Sequence, residues 1–78
     1  MKQKKPYLVV TFFTTSAAMA AEKACRQAGV SGRIIPVPRQ ITADCGLGWR
    51  TDPENRPALE SLFRACALET DGWHICGL

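Results

Sequence analysis

Of the four cysteines in the chain, Cys45 has surroundings that suit chemistry better than packing. It stands between Asp44 and Gly46 in the stretch PVPRQITADCGLGWR, a segment broken by proline and glycine. Buried structural cysteines behave as small hydrophobes and sit among apolar neighbours, whereas an accessible cysteine held as its thiolate is a nucleophile. The chain has no Cys-x-x-Cys pair, so disulfide exchange of the thioredoxin type lacks its resolving partner. Its one histidine, His74, is not placed beside Cys45 by anything in the sequence, which argues against a Cys-His protease dyad. A single exposed thiolate suits the carriage of a transferable atom. It accepts sulfur or selenium as a persulfide-type adduct and releases it when a partner's thiol attacks.

The remaining cysteines point elsewhere. Cys25 and Cys66 fall at apolar positions of two expected helices and read as core residues, while Cys76 near the end of the sequence carries no clear signal. Four cysteines and a histidine raise the question of zinc, but His74-x-Cys76 is the only close pair. Structural zinc sites are built from closely spaced pairs, so we expect no metal and no cofactor.

The elements that must position Cys45 follow from pattern. Tyr7–Phe13 is β-branched and aromatic on both faces and predicts a central strand. Thr14, Thr15 or Ser16 can cap the helix after it. In that helix Ala18, Ala21, Cys25 and Ala28 form a small-residue face, with Arg26 in the last turn and Gly29 beyond it. Arg33–Val37 predicts a second strand, stopped by Pro36 and Pro38, and Leu47–Thr51 a third. Asp52-Pro53 opens a second helix that becomes regular from about Pro57, with Leu59, Leu62, Phe63 and Cys66 inward. Asp71-Gly72 turns into a last strand, Trp73–Cys76.

The order βαββαβ, with short connections and right-handed crossovers, predicts an α+β fold: a ferredoxin-like two-layer sandwich of four antiparallel strands with two helices on one face. In that topology the 38–46 loop shares an end of the molecule with the start of the first helix, at Thr14–Ser16. A helix N-terminus has unpaired N–H groups and favours a nearby anion, here the thiolate of Cys45. Gly46 permits close approach by a second molecule. Arg39 can add positive potential at the same end, whereas Asp44 opposes it. Arg50 points to the other face, lower down the strand.

Composition sets the outer limits. With 46% hydrophobic and 22% charged residues and no low-complexity run, the 78-residue chain reads as a single domain over 1–78, its first five residues frayed. The net charge of +3 is mild, and Lys2, Lys4 and Lys5 supply much of it. Basic residues are not interleaved with aromatics, so we expect no nucleic-acid partner. No apolar run approaches the roughly 20 residues of a membrane span, so we expect no membrane association through one. MKQKK, PYLVVTFF and the Ala-Met-Ala of 18–20 imitate a secretory signal. Its cleavage would leave a secreted disulfide miniprotein, but it would also remove the strongest strand.

The run GRIIPVPRQITADCGLGWR resembles the signature of the Se/S (selenium/sulfur) carrier protein-like family. The resemblance extends over nearly the whole chain. It takes in the first strand ending in FTT, the A-x-x-x-E-K-x-C pattern from Ala18 to Cys25, and the Ile-Pro-Val-Pro-Arg segment. Cys45-Gly46-Leu47 and the Asp-Pro-Glu helix start complete it. The resemblance implies that Cys45 carries the chalcogen, with Gly46 and Arg39 as local support, and that the first strand belongs to the domain rather than to a signal. The chain lacks the Cys-Pro-x-Pro motif of another class of sulfur carriers.

The expectation is thus a cytoplasmic carrier, rather than a true enzyme, that moves sulfur or selenium between a cysteine desulfurase-like donor and an acceptor protein. The alternative is a non-catalytic interaction module in which Cys45 is incidental. Because strand one is apolar on both faces, the sheet face without helices is expected to be covered by a homodimer partner.

Overall fold

A computed structural model describes residues 5–41 and 45–78, so Asp44 and residues 1–4 of the expected frayed terminus lie outside the described residues. Pro6–Thr11 (PYLVVT) forms strand β1. It ends two residues short of expectation because the chain turns out of the sheet at Phe12: Phe12 is buried in the core, whereas Phe13 is exposed. Helix α1 spans Thr15–Ala28, with Thr14 as its N-cap accepting the Ala17 N–H and Gly29 closing its end at φ 74°. Its buried stripe is Ala18, Ala21 and Cys25, side chains small enough for the helix to lie close on the sheet, while Ala28 at the helix end is exposed.

Strand β2, Arg33–Pro36, is short; β3 is Leu47–Thr51. A 3₁₀ turn, Pro53–Asn55, leads into helix α2, Arg56–Ala65. Pro57 sits in its first turn, where a missing N–H costs nothing. Strand β4, Gly72–Gly77, completes the order. The helix stops at Ala65, so Cys66 is not on its inward face as expected but is the exposed C-cap residue. The 3.6-residue pattern of Leu59 and Phe63 runs on to Cys66 only if the helix does. Instead Ala67 takes a left-handed φ of 54° and the Leu68 N–H returns to the Phe63 carbonyl at 2.9 Å.

The strands form one antiparallel sheet in the order β2-β3-β1-β4, the arrangement of a ferredoxin-like α+β sandwich. The main core lies between sheet and helices: Leu8, Val10, Phe12 and Trp49 meet Ala18, Ala21 and Cys25 from α1 and Leu59 and Phe63 from α2. Phe12 and Phe63 make an edge-to-face contact with centroids 6.0 Å apart, a geometry that adds about 0.5–1.5 kcal/mol to the area they bury.

The opposite face is not bare. Val9 of β1 and Cys76 of β4 are buried there, and Ile41, arriving from the β2–β3 connection, packs with them alongside Ile35 and Val37. Gly48 makes room for this: a Cβ at that position would stand 3.0 Å from Val9 Cγ1 and 3.7 Å from Val37 Cγ2.

Candidate functional site

The site is built where β3 begins. Thr11 pairs with Gly48, so the start of β3 lies beside the end of β1. Cys45 and Gly46 therefore share an end of the sheet with Thr14, Thr15 and Ser16. The Gly46 carbonyl accepts the Val37 N–H at 2.9 Å and closes the mouth of the β2–β3 connection. Gly46 does so at φ 73°, a left-handed conformation that costs other residues roughly 1–2 kcal/mol.

Gly46 thereby turns Cys45 back onto its own strand. The Leu47 N–H donates to Cys45 Sγ at 3.4 Å, and the sulfur lies 3.3 Å from the Leu47 carbonyl, to which its S–H donates. The residue is half-buried, resting on the rim of the helix-side core. The Leu47 peptide thus contacts the sulfur through both its N–H and its carbonyl.

The sequence-predicted residues are brought together in part. Cys45 and Gly46 are one unit, and the topology puts the opening of α1 at their end of the molecule. The sulfur's described hydrogen bonds, however, are both with Leu47, and the Ala17 N–H of the helix opening is taken by Thr14 Oγ1 at 3.1 Å. Thr15 and Ser16 are exposed in the first turn of α1. Arg39 is exposed in the turn that Ile41 N–H closes onto the Pro38 carbonyl at 3.0 Å. No ion pair joins it to a described residue. Sequence reasoning missed Leu47. The signal was present in Cys-Gly-Leu, since a polar side chain before a glycine turn commonly reaches the peptide two residues on.

The other thiols differ in kind. Burial, and secondarily the charge of Cys66, pushes the Cys25 thiol up to about 11. Cys66 is exposed at the carbonyl end of α2, the end of a helix that disfavours an anion. Cys76 is buried beneath Ile41 in the second cluster. His74 is half-buried opposite Val9, its ring folded over Gly72. Among the described residues no three metal-ligating side chains gather, and no helix is long and apolar enough to cross a membrane.

The family described as "Putative Se/S carrier protein-like" matches residues 7–75. The chain belongs to that family. The match runs from Tyr7 in β1 to Ile75 in β4, so the Se/S carrier protein-like domain takes in every element of the sheet along with Arg39, Cys45 and Gly46. No curated protein and no solved structure matches the chain.

Proposed function

We propose that the protein is a carrier that holds sulfur or selenium as a persulfide-type adduct on Cys45. One observation carries the reading: of the four cysteines, Cys45 alone is both accessible and, among the described residues, supplied with an amide donor at its sulfur. Cys25 and Cys76 are buried, and Cys66 meets the wrong end of a helix. Membership of a family named for selenium and sulfur carriage supports it independently.

In loading, the Cys45 thiolate attacks the terminal sulfur of a donor persulfide. The donor's S–S bond breaks, its thiolate leaves with the electron pair, and the new S–S bond forms on Cys45. In unloading, an acceptor thiolate attacks that terminal sulfur and the Cys45 thiolate leaves. No external oxidant or reductant is required. The Leu47 N–H stabilises the thiolate at both ends of the cycle. Gly46 presents no side chain to an approaching partner, and the N-terminus of α1 at Thr14, Thr15 and Ser16, together with Arg39, adds positive potential at that end of the molecule. The donor is of the cysteine desulfurase type and the acceptor is a protein thiol. We place this exchange in the cytoplasm, a reducing compartment in which thiols stay free.

The test is intact mass after incubation with a cysteine desulfurase and cysteine. The expected result is a gain of one sulfur atom that is lost in Cys45→Ser and kept in Cys25→Ser and Cys66→Ser. Absence of any adduct, or one that persists in Cys45→Ser, overturns the carrier.

A further inference from the structure

The end of the sheet away from Cys45 carries a concentration of positive charge that carriage on Cys45 does not use. Lys5, Tyr7, Gly32, Arg33, Arg50 and Asp52 help line a cleft of about 360 Å³ there, within the size range of small-molecule sites. Arg33 and Arg50 are register partners on β2 and β3, directly opposite one another on the same face. Like charges in that relation destabilise a sheet, and among the described residues neither makes an ion pair. Arg50 is further constrained. Its guanidinium lies 4.4 Å from the centroid of the Tyr7 ring, and its Nε is buried with no hydrogen-bond partner among the described residues. Lys5 Nζ stands 5.4 Å from the same centroid and 3.4 Å from Asp52. Three cations thus face a single carboxylate, an excess of two positive charges.

The wall opposite is fixed. Gly32 adopts φ 152°, and a Cβ there would fall 2.5 Å from the Arg50 carbonyl oxygen and 2.7 Å from the Trp49 ring. Only glycine lets the α1–β2 connection lie so close to β3, and the Thr51 hydroxyl secures it by donating to the Ser31 carbonyl at 2.6 Å.

We propose that this cleft binds a small molecule through a phosphate group in its dianionic form. A dianion cancels the local excess of charge and relieves the Arg33–Arg50 opposition. Guanidinium groups match phosphate oxygens with paired hydrogen bonds, and two negative charges on one small group balance the excess of two where a single carboxylate leaves one uncompensated. The site is separate from Cys45 and stands whether or not that thiol carries sulfur.

The test uses ¹⁵N-labelled full chain titrated with inorganic phosphate at pH 7.5, ionic strength being held constant with sodium chloride. Saturable shifts are expected at the Arg50 Nε–Hε signal and at the Gly32, Arg33 and Thr51 amides. Arg33→Gln, on an exposed edge position, weakens binding at least about tenfold, the loss of one charged hydrogen-bonding group. Asp52→Asn tightens it, and Asp52 makes no side-chain capping bond whose loss would disturb the fold. Cys45→Ser binds as the unmodified protein does. Thermal melts of each variant confirm folding. Shifts that rise linearly and are reproduced by chloride overturn the proposal. So does an Arg33→Gln protein that is folded and binds phosphate unchanged.

Discussion

A thiol serves a carrier when a partner can reach it, when it can ionise, and when it has no better bond to make. Cys45 is half-buried rather than sealed, and its neighbours in the chain hold it: Gly46 turns it and Leu47 supplies the amide. Under native conditions iodoacetamide is therefore expected to modify Cys45 and Cys66. Cys25 and Cys76 should become labelled only in denaturant, as peptide mass mapping would show. Cys25 contributes in a different way. Its thiol ionises near 9.0 in an ordinary setting and about 11 in the fold, chiefly because burial disfavours the anion. The unfolded chain therefore loses this proton first. The corresponding stability is complete below about pH 9 and is lost as pH rises towards 11, amounting to about 2–3 kcal/mol if fully realised. Urea unfolding at pH 7.5, 9 and 10.5 should show that decline, and Cys25→Ala, although less stable at neutral pH, should show a flatter one.

At the scale of elements, the ends of the helices are the places to test. Thr14 Oγ1 accepts the Ala17 N–H, so Thr14→Ala should cost about 1 kcal/mol in chemical denaturation, with Thr14→Ser recovering most of it. Ala67, held at φ 54° after α2, pays for a conformation that glycine adopts freely. Ala67→Gly should raise stability by about 1 kcal/mol, visible as a shift in the urea midpoint. These same ends show what could be read from the chain. The N-cap was legible to within Thr14, Thr15 or Ser16, Gly29 as the helix end, and Leu47–Thr51 as a strand, because each depends on chemistry within a few residues. Cys66 misled because helical periodicity does not say where a helix stops. The return of Ile41 over Val9 and Cys76 was illegible, since it rests on a notch at Gly48 visible only once β1, β2 and β3 lie side by side. At the site, Cys45 and Gly46 were legible as a unit, whereas Leu47 was hidden because strand residues advertise their side chains and not their amides. The stacking of Arg50 on Tyr7 was hidden likewise, by the separation of the two in the sequence.

For the molecule as a whole, β3 is the common axis. Cys45 precedes its first residue, and Arg50 and Thr51 close it, so roughly 17 Å of strand separates thiol from cleft. Saturating phosphate should accordingly leave the rate of Cys45 alkylation unchanged. Ile41 also bears on assembly: by burying Val9 and Cys76 it removes from the helix-free face much of the apolar area that a homodimer would cover. Sedimentation of the unmodified protein against Ile41→Ser would show whether exposing that area promotes self-association.

The path from Val37 to Gly46 is a detour whose two ends are stitched together by a backbone bond and which is held to the sheet by Ile41. Length added to such a detour raises its closure cost by only about 0.6 kcal/mol per doubling, and no core residue need move to accommodate it. The length of this connection is therefore a dimension of the architecture that can change on its own, since the Val37–Gly46 bond closes it off from the sheet and leaves the sandwich beneath it as it is.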